Sequence, residues 1–272
     1  MPSTTPKYRR PLNKSQIELL LLLYRFRFIT EKLLAQYMGK KSTSVINTKL
    51  KVLMDQKYIG RKYDNNSRIN RQPAVYYLMP EAIRLLKRKP ECHSKILKTI
   101  YNDHKASDQF IREHLLTFNA YNRLTVTYGE NLKYFTASEL KQYDYLSKLL
   151  PNGFMILSSE GNDKRFFLEV FVANRDIFYI RRILRKYIEY AESGKWEQNT
   201  HSDMPVALLV CETERAQKRL RRQAVSITDN QGTREPVFAI ATIADLNNMA
   251  DDKTIWQRTG NPSIKLPLES LN

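Results

Sequence analysis

Between residues 28 and 78 the apolar positions change their period twice, and each change marks an element. After Thr30, Leu33, Leu34 and Tyr37 recur at helical spacing, and Gly39 ends the run. A threonine hydroxyl ahead of the first turn accepts a hydrogen bond as an N-cap, and glycine takes the left-handed conformation that closes a helix. A second helix is predicted behind Ser42 or Thr43. Its core stripe is Ile46, Leu50, Leu53 and Met54, and its opposite face shows Ser44, Asn47, Thr48 and Lys51. The period then falls to that of strands, in short runs rich in Ile, Val and Tyr at residues 59–63 and 75–78. Between them DNNSRINRQPA has no apolar period and is full of turn formers, which predicts a hairpin. Upstream, IELLLLLYRF at residues 17–26 is too short to span a bilayer and is read as a first, buried helix. Helices closed by a hairpin form the pattern of a winged helix-turn-helix.

The pattern past the hairpin is different. PEAIRLLKRK at residues 80–89 is a helix that opens on proline, closes on cations and stops at Pro90. Residues 94–124 read as helical, with Ile96, Ile100, Phe110, Ile111, Leu115, Phe118, Tyr121 and Leu124 in phase. Strands are predicted at 132–135, 154–158, 165–172, 205–211 and 237–242, and helices at 138–150, 176–192 and 214–226. Strands separated by helices imply a mixed sheet covered by helices. The fold expectation is therefore α+β or α/β: a winged-helix domain at 1–90, a bridging helix at 91–124 and an α/β domain at 125–272. No internal repeat, glycine-rich phosphate loop or GxSxG turn is present, which removes the common nucleotide-binding and hydrolase readings.

Charge sharpens this division. Residues 1–90 hold 20 Lys and Arg against 5 Asp and Glu, whereas residues 91–272 hold 25 against 23. A solubility charge would be spread evenly; one concentrated on a helix–hairpin unit draws in a polyanion. A helix of this size enters the major groove, about 12 Å wide, while the hairpin lies along phosphates. The candidate DNA-binding residues are Lys40, Lys41, Ser42, Thr43, Ser44, Asn47, Thr48 and Lys51, with Lys49 beside them. The hairpin adds Arg61, Lys62, Arg68 and Arg71, and a basic tail runs from Lys7 to Arg10. Candidate secondary contacts are Arg181, Arg182, Arg185, Arg221 and Arg222, in two clusters that also contain Lys186, Lys218 and Arg219. Helix-surface solvation accounts for those clusters equally well.

The remaining chemistry is sparse. Cys92 and Cys211 lie in unrelated contexts, giving neither a disulfide framework nor a zinc pattern, and His104 and His114 are ten residues apart. No metal site and no cofactor are expected, and His104 is assigned a structural, hydrogen-bonded role. Reduced cysteines, a start without a signal peptide's apolar core and the absence of a membrane span point to a cytoplasmic protein. A homodimer is an expectation, since proteins of this type pair on palindromic sites.

One constellation could carry catalysis. Leu150-Pro151-Asn152-Gly153 precedes a predicted strand, and Leu168-Glu169-Val170-Phe171 forms part of the next. A carboxylate within an apolar strand needs a partner, and Arg181, Arg182, Arg185 or Lys186 could supply it. A turn of this kind followed by an acidic strand resembles the metal site of restriction-endonuclease-like domains. The order FITEKLLAQYMG, VYYLMPEAIRLL, the His104 helix, LPNGF, FFLEVF, RKYIEY and PVALLVCETERAQKRLRR resembles the replication-relaxation family of plasmid and mobile-element proteins.

The resemblance implies a winged helix joined to a nuclease-like domain, in a protein of replication, mobilisation or transcription control. It also implies where a catalytic set would lie: Asn152, Glu169 and Lys186. Here Asn152 replaces the family's aspartate, and Phe171 stands where an acid or lysine belongs. Mg²⁺ is a hard ion held by carboxylates, so the domain is expected to be degenerate and no catalytic residue is assigned. Two alternatives to a non-cleaving DNA-binding protein stay open. One is a Mg²⁺-dependent nuclease using Glu169; the other is an adaptor that recruits a relaxase or replication protein.

Overall fold

The computed structural model describes residues 11–63, 69, 72–159, 162–228, 236–249, 251 and 253–271. Arg68, Arg71 and the tail from Lys7 to Arg10 lie outside them. The chain divides into two compact units, Met1–Leu115 and Leu116–Asn272.

In the first unit, α1 (Lys14–Phe26) starts at a reciprocal cap: Asn13 Oδ1 accepts from the Gln16 amide at 2.9 Å, and Gln16 Oε1 accepts from the Asn13 amide at 3.0 Å. Leu19, Leu20, Leu22, Leu23 and Phe26 are all buried, so the greasy run is core. A two-residue strand β1 (Ile29–Thr30) leads into α2 (Glu31–Tyr37), where Thr30 Oγ1 accepts from the Leu33 amide. Leu34 and Ala35 make the buried seat of α2; Leu33 is half-buried, and Tyr37, in helical phase with them, is 41% exposed. Gly39 takes φ +62° and turns the chain into α3 (Ser44–Asp55). Ile46, Leu50 and Leu53 are buried and Met54 is half-buried. Strands β2 (Ile59–Lys62) and β3 (Val75–Leu78) pair antiparallel, and β1 adds to β3, giving a sheet in the order β1-β3-β2.

After α4 (Pro80–Leu86), the helix expected over 94–124 is broken. It comprises α5 (Ser94–Ile100), a 3-10 turn (Asp103–Lys105) and α6 (Asp108–Tyr128), and the boundary between the units falls within α6. The break has a physical cause. Asp103 is turned inward, its side chain fully buried, and Arg27 donates to both of its carboxylate oxygens. A continuous helix would hold that carboxylate elsewhere and leave the half-buried Arg27 guanidinium without its acid.

The second unit is a seven-stranded mixed sheet in the order β10-β9-β8-β7-β6-β5-β4. Strands β4 (Leu132–Thr136), β5 (Gly153–Ser159) and β6 (Asn162–Phe171) are antiparallel. A short α7 (Ala137–Leu140) lies between β4 and β5; after β6 come α8 (Ile177–Glu192), α9 (Lys195–Thr200) and β7 (Val206–Cys211), which runs parallel to β6. Helix α10 (Glu214–Thr228) then leads to β8 (Phe238–Thr242), parallel to β7. Every residue of β7 and β8 is buried, as a central strand covered on both faces requires. Helices α8 and α10 pack on the face carrying Phe167, Phe171, Leu209 and Ile240, with Leu184, Tyr187 and Leu220 between.

The helix expected over 138–150 is cut short. Thr136 and Glu139 form a capping box that starts α7 earlier than the Ser138 cap expected, and after Leu140 only a 3-10 turn (Asp144–Leu146) follows. Three elements near the end went unpredicted: α11 (Ile243–Asn247), β9 (Trp256–Arg258) and β10 (Asn261–Leu266), of which β10 is almost wholly exposed.

Candidate nucleic-acid interface

A concave surface of about 1230 Å³ lies between α3 and the β2–β3 hairpin. From α3 come Asn47, Lys51, Met54 and Asp55, with its N-cap Thr43; from the hairpin come Arg61, Tyr63, Gln72 and Tyr76; and α2 adds Glu31 and Lys32. The helical period explains the α3 contribution: with Ile46 and Leu50 committed to the core, Asn47 and Lys51 are one turn apart on the far face and exposed. On β2 the alternation of a strand brings Arg61 to this surface. Its guanidinium lies 5.5 Å from the centre of the Tyr63 ring. Tyr76 donates to Glu31 Oε2 at 3.4 Å, and its pKa is raised, chiefly by burial and then by the Glu31 carboxylate.

The other sequence candidates divide. Lys40, Lys41, Ser42, Ser44 and Thr48 are exposed around the start of α3, and Ser42 Oγ accepts from the Ser44 amide at 3.3 Å. Lys49 is not on the outer face. It is half-buried, and its Nζ donates to Ser15 Oγ at 2.7 Å. Lys62 points away as well: one residue along β2 from Arg61, it meets Asp108 at 2.7 Å and the Ala106 carbonyl at 3.2 Å. Lys32, Tyr63 and Gln72 were missed: α2 was read for its core, Tyr63 as the end of a strand, and DNNSRINRQPA for its turn formers and arginines.

The catalytic-looking positions are adjacent but closed. Gly153 pairs with Leu168, which sets Asn152 across from Glu169. The Asn152 side chain does not point at the acid; its Oδ1 accepts from the Val170 amide at 2.8 Å and straps β5 to β6. Glu169 is 6% exposed, on the same strand face as Phe167 and Phe171, and the Tyr187 hydroxyl donates to its Oε1 at 3.1 Å. Burial, and then the Glu169 carboxylate, push the Tyr187 pKa well up, so it stays a donor.

The expected cations lie elsewhere. Arg181 donates to Gln223 at 2.5 Å, Arg182 lies 5.2 Å from the Tyr179 ring, Arg185 is exposed, and Lys186 lines a hollow with Lys148, Glu189 and Lys195. These positions do not fit Mg²⁺: the Asn152 oxygen is engaged by a backbone amide, Phe171 is apolar and buried, and Glu169 lies beneath α8. Among the described residues no three His, Cys, Asp or Glu side chains gather as a metal centre.

Of the remaining candidates, Arg221 donates to Gln257 and Arg222 is exposed. His104 Nδ1 is 3.0 Å from the Tyr101 carbonyl, the structural role expected of it. His114 Nδ1 is 2.9 Å from the Phe110 carbonyl, and its ring packs on Phe110 and Phe28; burial lowers its pKa to about 4. Cys92 and Cys211 are buried free thiols, raised by burial to about 11 and about 12. Among the described residues no helix is long and apolar enough to cross a membrane.

These features define a class: a two-unit α+β protein, with a cationic helix–hairpin groove in one unit and a helix-covered seven-stranded mixed sheet in the other. The chain belongs to the replication-relaxation family, whose model matches residues 20–206. Solved structures similar to it include restriction endonuclease FokI (12% identity, TM-score 0.32) and the same enzyme bound to DNA (12% identity, TM-score 0.28). Each match covers 85% of this chain and 43% of the other, so the chain spans less than half the length of these structures. No curated protein sequence matches it.

Proposed function

We propose that the first unit is a winged helix that binds double-stranded DNA, with α3 in the major groove and the hairpin on the backbone. Membership of the replication-relaxation family supports a role in the replication or mobilisation of a plasmid or mobile element, or in control of its transcription. The observation that carries the reading is the convergence of Asn47, Lys51 and Arg61 on one concave surface, in the first third of the chain, which holds nearly all the net positive charge. An amide suits adenine, cations suit guanine and phosphate, and exposure on one groove lets all three act together. We read the second unit as a restriction-endonuclease-like scaffold that does not cleave.

The neighbours Arg61 and Lys62 supply the test. Arg61→Ala is expected to weaken binding to all duplexes and to reduce the salt slope by about one phosphate contact. Lys62→Met is expected to leave both unchanged, since its ammonium is engaged by Asp108. Asn47→Ala is expected to cost about 1–3 kcal/mol on a selected site and much less on random DNA. Titrations in which Arg61 and Lys62 behave alike, or Asn47→Ala loses equally on both DNAs, would remove this groove as a reader of sequence.

A further inference from the structure

The outer faces of α8 and α10 carry a charge pattern that helix stability does not account for. Helix α10 has Arg215, Lys218, Arg219, Arg221 and Arg222 against one acid, Glu214. The first ten residues of α8 hold Arg181, Arg182, Arg185 and Lys186 and no acid; Glu189 and Glu192 come only afterwards. Asp176 caps α8 and Glu214 opens α10, as helix N-termini favour, but behind them cations one turn apart, such as Lys218 and Arg222, repel. That repulsion opposes this arrangement.

Tertiary structure concentrates it further. Arg181 donates to Gln223, which makes the two helices neighbours, and Arg219 donates to the carbonyls of Ala173 and Arg175, which pins α10 to the turn before α8. Arg215, Lys218 and Arg222 fall at i, i+3 and i+7, so they form one exposed stripe, with Arg182 and Arg185 exposed on α8. Arg185, Arg215, Lys218 and Arg222 have no ion-pair partner among the described residues. Beside the stripe a groove of about 720 Å³, lined by Asn174, Glu214, Arg215, Lys218, Arg219 and Arg222, opens past the carboxyl ends of the parallel strands β6 and β7. Helix α10 lies past the residues that the family model matches.

We propose that this face binds the phosphate backbone of duplex DNA without reading sequence, as a second contact independent of the α3 groove. Cations spaced about 5.4 Å apart along a helix suit a polyanion bearing one charge per roughly 1.7 Å of axis, and each phosphate they neutralise releases counterions. The choice of DNA as the polyanion rests on the reading of the first unit. Two contacts in one chain make the second intramolecular and raise avidity without base readout.

The test uses the full chain and a random-sequence duplex, titrated by fluorescence anisotropy at several salt concentrations. R185Q/K218Q/R222Q is expected to weaken binding about tenfold or more and to lower the salt slope by up to about three contacts. K133Q/K141Q/K265Q removes the same charge from exposed positions outside α8, α10 and the hollow beside Lys186, and is expected to leave both near wild type. Thermal melting confirms that both variants fold. Equal losses in the two triples would reduce the effect to net charge and overturn the proposal. Lys51→Ala with Arg61→Ala separates the two readings. Residual binding that then disappears with R185Q/K218Q/R222Q supports two sites. Complete loss from the Lys51 and Arg61 changes alone overturns the second site and leaves the α3 groove standing. No loss from them, with loss from R185Q/K218Q/R222Q, overturns the groove instead.

Discussion

At the scale of residues, two ionisable groups of the first unit, His114 and Asp103, are shifted by burial in ways that couple folding to pH. His114, packed against Phe28 and Phe110, is held neutral, its pKa lowered from 6.5 to about 4 by burial. The unfolded chain takes up the proton first. The stabilisation is therefore complete above about pH 6.5 and is lost as pH falls towards 4, by about 2–3 kcal/mol once partial solvation is allowed for. Asp103 has the opposite sign. Burial raises its pKa despite Arg27, so its carboxyl costs stability as pH rises through the folded value. His114→Phe keeps the packing and removes the titration. Urea denaturation at about pH 7.5 and about pH 4.5 is expected to show a smaller loss on acidification in the variant than in the wild type. Identical losses would show that His114 stays solvated. None of this was legible beforehand, since the spacing of His104 and His114 says nothing about which aromatic rings enclose either one.

At the scale of elements, turns were read well and helix lengths poorly. Gly39 was identified as the end of α2 from its type and position, and it does adopt φ +62° with open space around it. Only backbone strain opposes a side chain there, so Gly39→Ala is expected to cost about 1 kcal/mol and Gly39→Asn less. A urea midpoint unchanged in Gly39→Ala would mean that the turn relaxes into another conformation. The α5–α6 break escaped notice because residues 96–124 keep helical phase on both sides of it. At the interruption Asp103 reaches Arg27, 76 positions earlier in the chain. Lys49 and Lys62 escaped for a similar reason: their composition matched an outer face, and their partners Ser15 and Asp108 lie far away in sequence.

At the scale of the whole molecule, basic charge is concentrated in the first unit and gathered on α8 and α10 in the second. The acid that could have carried catalysis is enclosed. Purified protein with Mg²⁺ or Mn²⁺ is expected to leave linear, supercoiled and single-stranded DNA intact, as read on an agarose gel. Cleavage that Glu169→Gln abolishes would overturn that expectation and reopen the nuclease reading. Asn152→Asp with Phe171→Asp is expected to destabilise the fold without gaining metal affinity, because Phe171 is part of the core beneath α8.

Sequence alone determined the elements whose signal is local. These are the cap at Thr30, the turn at Gly39, the stripe of α3, the buried run of β7 and the division of charge near residue 90. Each depends on neighbours within a turn or two, where period and residue type carry the information. Tertiary structure decided the direction of long or buried polar side chains. Arg61 and Lys62 are chemically alike and adjacent, yet strand alternation brings one to the groove and commits the other to Asp108. Asn152 and Glu169 were found as a pair, but only cross-strand register and the packing of α8 could direct one to a backbone amide and the other to Tyr187. A side chain's chemistry is written at its own position; the partner that consumes it is set by parts of the chain brought close only on folding.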